Sequence, residues 1–336
     1  MKKIIATILS IIIALFPGVI AGENSRRFVS IPYGELSNAN ASENAKAVYS
    51  YICSTYKHKI LTGQQESTWV GGPDYEMDYI EETTGKLPAI RGLDYHNYDF
   101  AGVTRRAKDW WSRGGIVTIS WHCGSDFTGH FGDSLHTELD WDAALTKGTP
   151  EYETLIAGMD RAAVALKELD EAGVPVLWRP FHELDGNWFW WSRGGPRNFV
   201  KLWRIMYTRY TDYWALDNLI WVCGYQAKTR TPELWYPGDG YVDIAGADSY
   251  FGDGTQALLF SRIKVFIMNR KPICFHENGA IPDMDELQRW SVDWCYFMTW
   301  HTEYLVEDKW NTKEHLNDVY NSEYAITLDE LPAFIG

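Results

Sequence analysis

The chain has 336 residues, with 31 Lys+Arg against 45 Asp+Glu for a formal charge of −14, and 15% aromatic residues that include 17 Trp. That length can bury the core of one large domain, and the acidic balance lacks the positive footprint of a nucleic-acid binder. An apolar share of 46%, with 28 Gly and 13 Pro, excludes disorder, coiled coil and collagen and leaves the tryptophans to be explained.

The N-terminus reads as an export signal. Lys2 and Lys3 precede the apolar run 4–16, and a small-residue stretch closes at Val19-Ile20-Ala21, the layout of a cleavable secretory peptide. The run is shorter than the roughly 20 residues that span a bilayer. A signal peptide over 1–21 is therefore expected, then one domain over 22–336 in the periplasm or outside the cell. The first cysteine is Cys53, too far along for lipid attachment behind the signal, and no later run could cross a membrane. The five cysteines (Cys53, Cys123, Cys223, Cys274 and Cys295) show no CxxC spacing. Neither a zinc site nor a dense disulfide framework is expected, although one disulfide could form in an oxidising compartment.

From residue 43 onward, short β-rich apolar runs alternate with amphipathic segments. The runs are 59–63, 88–93, 115–121, 175–181, 218–223, 242–247, 271–275 and 294–299. Several are almost continuously hydrophobic, as strands buried on both faces are. Between the third and fourth, residues 152–172 carry helical apolar spacing at Leu155, Met159, Ala163, Leu166 and Leu169, and Gly173 stops the helix. Eight strands with intervening helices predict an α/β fold, a (β/α)₈ TIM barrel. An open doubly wound sheet is the alternative, but no Gly-rich phosphate loop follows the first strand.

A barrel places its chemistry at the C-terminal ends of its strands. Just past the runs stand Gln64-Gln65, Asp94, His122, His182-Glu183, Tyr225, Asp248 with Tyr250, His276-Glu277 and Trp300-His301. Glu183 follows the fourth run in RPFHELDGNWFWW, and Glu277 follows the seventh in HENG. An ionised carboxylate ending an apolar strand is costly unless paired, hydrogen-bonded or used. A salt bridge to Arg179 or Arg91 would explain either glutamate alone. Two of them, three strands apart around one mouth, suit the paired carboxylates of a retaining glycosidase better. HExxH fails because residue 186 is Gly, and GxSxG and GxxxxGK[ST] are absent. The scattered histidines supply no metal set, so no metal and no cofactor are expected. Trp188, Phe189, Trp190 and Trp191 run consecutively after Glu183, and at least one of them is expected to face the cleft as a flat surface for a sugar. Trp141, Trp188, Trp190 and Trp300 all fall on segments expected to rim the mouth.

The motifs ILTGQQ from Ile60, RGLD from Arg91, SWH from Ser120, RPFHELDGNWFWW from Arg179, ADSY from Ala247, HENG from His276 and YNSEYAITLDELP from Tyr320 together resemble glycoside hydrolase family 26. That family consists chiefly of bacterial endo-β-1,4-mannanases, which are retaining (β/α)₈ enzymes. The resemblance implies Glu183 as acid/base and Glu277 as nucleophile. It makes His182 a group that positions sugar and acid, and Tyr250 a hydrogen-bond donor to the nucleophile. Trp300 becomes the platform at the cleavage point, Trp188 the aromatic on the leaving-group side, and His122 with Trp141 the pair on the donor side. At His301 the chain departs from members that carry an Arg nearby. Asp248 is expected to be a scaffold carboxylate. The implied substrate is β-1,4-mannan, galactomannan, glucomannan or manno-oligosaccharides, acted on by a monomer. A β-1,3-xylanase or mixed-linkage β-glucanase on the same fold, or a non-catalytic glycan-binding barrel, are the alternatives. The long stretch 122–175 is where a loop closing off part of the cleft is expected.

Overall fold

The computed structural model describes residues 31–226, 231–252 and 254–334; the expected signal peptide lies outside them. Eight parallel strands close into a barrel: β1 Gly63–Gln65, β2 Ile90–Asp94, β3 Ile116–Ser120, β4 Val176–Arg179, β5 Leu219–Tyr225, β6 Ile244–Ser249, β7 Ile273–Asn278 and β8 Phe297–Thr299. Helices pack outside the ring, among them α1 Glu43–Thr55, α2 Tyr75–Thr84, α3 Phe100–Ser112, α4 Pro150–Glu171, α5 Gly195–Thr208, α6 Ala257–Ile267, α7 Met284–Trp290 and α8 Lys313–Tyr320.

The local chemistry explains the longest of these. Thr149 caps α4 by accepting from the Tyr152 amide, Pro150 opens it, and Glu151 and Glu153 occupy its first turn, where the helix dipole favours negative charge. Its buried stripe includes Leu155, Met159, Ala163, Leu166 and Leu169, and Gly173 turns the chain at φ 69° into β4.

Two sequence expectations shift. The apolar pair Ile60–Leu61 does not begin the first barrel strand. It forms a separate parallel pair with Ala325–Ile326, and the polar GQQ segment supplies β1. Several residues placed beyond strand ends lie instead within strands: Asp94 and Tyr225 are the last residues of theirs, and Asp248 and Glu277 the last but one. All five cysteines are free, and Cys123, Cys223, Cys274 and Cys295 are buried as small hydrophobes. No helix among the described residues is long and apolar enough to cross a membrane.

Candidate active site

The barrel mouth gathers Glu183, Asp248 and Glu277, with one oxygen of each within 4.8 Å of the others. Two backbone irregularities aim these groups. Between β6 and β7 the register shifts at Ala247/Asp248, so that Asp248 lies beside Glu277; such bulges re-aim side chains at functional rims. After β4, Phe181 and Glu183 both have φ 51°. This left-handed backbone is costly for non-glycine residues and persists only where the surroundings enforce it.

Each carboxyl has its own environment. Glu277 accepts from Arg179 Nη1 at 2.8 Å and from the Tyr250 hydroxyl. Burial raises its carboxyl above the usual range; Arg179 and the Tyr250 hydrogen bond oppose the rise, while neighbouring Glu183 adds to it. Glu183 accepts from Trp188 Nε1 at 2.5 Å. Asp248 is buried with no protein donor on either oxygen. Burial, then the proximity of Glu183 and Glu277, pushes its carboxyl well above the usual range. Asp248 therefore favours its protonated form beside the two glutamates. The three are the one acidic cluster among the described residues close enough to share a cation. The donors already aimed at them are Arg179, Tyr250 and the Trp188 indole, an arrangement suited to proton transfer.

The histidines follow the same logic. Burial, Arg179 and neighbouring imidazoles hold His182 well below its usual value. Burial and Arg179 do the same to His276, whose Nδ1 lies 3.1 Å from Arg179 Nη1. A neutral His276 accepts there, leaving the guanidinium charge for Glu277. His182 Nδ1 is buried and has no protein partner. His122 is anchored through Nδ1 to Asp94. Burial alone would raise Asp94, but the adjoining His122 more than reverses this and holds it far below the usual carboxylate range.

Beyond His122 opens a cavity of about 380 Å³ whose lining includes Trp300, Phe131, Trp69, His96 and His301. Trp69 is 56% exposed and meets His96 and His301 edge-on at centroid distances of 5.2 and 4.7 Å. Burial and the nearby His96 and His122 lower His301 to about 4, so its imidazole stays uncharged near neutral pH. Glu66 on the same wall is held by Arg91 and Arg106. The stretch 122–175 contributes Phe131 to this wall. Trp69, His96 and Asn97 were not among the sequence candidates, because no strand end or motif marks the loops that carry them.

The aromatic run after Glu183 divides. Trp188 is half-buried beside Glu183, whereas Phe189, Trp190 and Trp191 are buried, so Trp190 belongs beneath the rim rather than on it. Trp190 Nε1 donates to the Cys123 carbonyl, and Trp191 Nε1 donates to that of His182. They are the packing that holds His182 and Glu183 in place. Trp141 packs on Trp190 at 6.2 Å and over Gly194, where a Cβ would come within 2.3 Å of the indole. It stands apart from the cavity lining that contains His122. Gly186 likewise leaves room for the Trp188 ring, 2.4 Å from where its Cβ would be.

The family model described as glycosyl hydrolase family 26 matches residues 37–330. A mannan endo-1,4-beta-mannosidase of Thermothelomyces thermophilus is 36% identical over 88% of this chain and 63% of its own length. A mannan endo-1,4-beta-mannosidase A of Piromyces sp is 34% identical over 89% of this chain and 51% of its own. The chain thus spans about half to somewhat under two thirds of these relatives. Among solved structures, a beta-mannanase from a symbiotic protist of the termite Reticulitermes speratus, complexed with gluco-manno-oligosaccharide, aligns with a TM-score of 0.82 at 30% identity. That alignment covers 90% of this chain and 98% of that one.

Proposed function

The chain belongs to glycosyl hydrolase family 26, and on that footing we propose that it is an exported, retaining endo-β-1,4-mannanase acting on mannan, galactomannan or glucomannan. The observation that carries the mechanism is the spacing of the carboxyls. Oxygens of Glu183 and Glu277 lie within 4.8 Å of each other, close to the roughly 5–5.5 Å of retaining enzymes and short of the wider gap that admits a water in inverting ones.

Glu277, paired with Arg179 and Tyr250, attacks the anomeric carbon as Glu183 delivers its proton to the departing glycosidic oxygen. The C–O bond breaks and a glycosyl ester forms on Glu277. That ester carries no charge, so Glu183 can then take a proton from water, which attacks the same carbon and releases Glu277. The His182 Nδ1 without a protein partner is available to a sugar hydroxyl. Trp300 and Trp188 flank the cleavage point, and the cavity ending at Trp69 receives the donor-side sugars. The gluco-manno-oligosaccharide in the protist enzyme supports including glucomannan. We take the protein to work as a monomer away from membranes, after removal of residues 1–21.

Reducing-sugar release from galactomannan, glucomannan, β-1,3-xylan and lichenan tests the substrate class. Release is expected from the first two; release from xylan or lichenan alone would replace mannan, and release from none would leave a glycan binder. Glu183→Ala should lose most activity on mannan and retain more on an aryl glycoside with an activated leaving group, while Glu277→Ala should be inactive on both. Equal loss on both substrates in Glu183→Ala would remove it from the acid role.

A further inference from the structure

Two tryptophans among the described residues stand more than half exposed: Trp69, which lines the cavity above, and Trp290, at 63%, which the catalytic cleft does not use. Trp290 ends α7 and lines a separate groove of about 460 Å³ with Leu258, Thr255, Gln256 and Glu286. We propose that this groove is a second, non-catalytic binding site for a neutral polysaccharide, taking sugar units of a chain that is also presented to the cleft. The proposal rests on the mannanase reading for the identity of that polysaccharide.

Four observations support it. The groove has the mixed character of a sugar site, an indole face and an 83%-exposed Leu258 set beside a hydroxyl, an amide and one carboxylate. Apolar sugar faces stack on indole, and hydroxyls need polar partners at its edge. Glu286 is the one charged side chain lining it, which suits a neutral ligand rather than a polyanion. The polar groups are also preset: Thr255 Oγ1 donates to Glu286 at 3.0 Å, and Gln256 Nε2 donates to the Phe251 carbonyl at 2.5 Å. Gln256 itself has φ 50°, a backbone kept left-handed where a structure enforces it.

Position supplies the fourth. The groove is built by the loop after β6 and by the helix that follows β7, the two strands that carry Asp248 and Glu277. Phe251, 73% exposed, directly follows Tyr250, and the Gln256 hydrogen bond ties that rim residue to the groove. The two loops also pack together, since a Cβ on Gly254 would meet the Ile281 backbone at 2.4 Å. A polymer held in the groove would be kept at high effective concentration near the carboxylates without new contacts in the cleft.

The test uses the full chain carrying Glu277→Ala, so that bound polysaccharide survives, in native gels with and without soluble galactomannan. Adding Trp290→Ala should raise the apparent dissociation constant for the polymer about fivefold, the scale of losing one well-packed aromatic contact; Trp290→Phe should recover most of it. Calorimetry with mannotriose, too short to engage cleft and groove together, should give two sites per chain in the parent and one in Trp290→Ala. Unchanged retardation, or one site in both proteins, would overturn the proposal. So would a parent dimer that Trp290→Ala converts to monomer, which would assign the face to self-association. Cutting of mannohexaose by the unmutated enzyme separately tests the cleft. If the cleft proves to cut another β-glycan, the same gel comparison in that glycan decides the groove.

Discussion

Three carboxyl groups and one guanidinium share the barrel mouth, and like charges this close cannot all ionise together. Arg179 is committed to Glu277, so Asp248, with no protein donor and raised by burial and by Glu183 and Glu277, keeps its proton. Asparagine mimics a neutral carboxyl, and this sets a sharp expectation. The kcat/KM profiles of the unmutated enzyme and Asp248→Asn should run parallel at acid and neutral pH and diverge only on the alkaline limb, where Asp248 would acquire charge. Displacement across the whole range would mean that Asp248 is ionised throughout. The sign for stability follows from the raised carboxyl. The folded state keeps a proton that the unfolded chain loses above about 3.9, so this contribution is complete below that value and is lost as pH rises through the folded one. Asp248→Asn should accordingly flatten the fall of Tm towards alkaline pH.

Single elements show how the wall of the cavity beyond His122 is held. The Glu76 carboxylate, in the first turn of α2, is fully buried. It accepts from the Ser67 amide at 3.0 Å, the Ser67 hydroxyl at 2.7 Å and the Thr302 amide at 2.9 Å. It thereby fastens the loop after β1, which carries Trp69, to the loop after β8, which carries Trp300 and His301. Glu76→Ala would strand buried donors at a cost of about 3 kcal/mol. It should lower the urea midpoint and also raise KM for manno-oligosaccharides several-fold; a stability loss with KM unchanged would make Glu76 a strut with no bearing on the site. None of this was legible in the sequence, because Glu76 stands in an ordinary acidic helix start and its partners are 9 and 226 positions away. What was legible had a local signature: apolar runs ended by His182-Glu183 and His276-Glu277, and the stop signals around α4. The first strand was misplaced for a related reason. Ile60–Leu61 has the stronger β pattern, yet its strand partner is Ala325–Ile326 outside the ring, with only a lone bridge from Leu61 to Tyr296, while Gly63–Gln65 enters the ring on the strength of its neighbours. The buried Trp190 and Trp191 were ambiguous because periodicity cannot separate rim from support in four successive aromatics.

At the scale of the whole molecule the ring is unevenly sewn. β2 and β3 share five register pairs, whereas the closing contact between β1 and β8 has one, Gln64 with Thr299, continued below the strands by a lone bridge of Leu61 with Tyr296, and β7 and β8 share two across a register shift. β8 is therefore the weakly laddered strand, and it is the one that delivers Trp300. Other contacts compensate at both ends of this seam. At the mouth, Gln64 Nε2 donates to the Trp300 carbonyl at 3.2 Å, and Asn278 Nδ2 reaches Thr299 Oγ1 at the same distance. At the opposite end, the Ile60–Leu61 pair with Ala325–Ile326 straps the chain's last segment across the first strand. Thr62 contributes both its amide and its hydroxyl to the Ile326 carbonyl. Ile326 is almost fully buried, so Ile326→Ala should cost about 2–4 kcal/mol. Because the strap lies at the end of the barrel away from the carboxyls, kcat/KM below the unfolding transition should stay close to that of the unmutated protein. Hydrogen exchange should locate the loss, with amides of β1 and β8 losing protection before those of β2 to β4. Acceleration spread evenly around the barrel would show that the strap stabilises the fold as a whole, and the seam would then not be its point of opening.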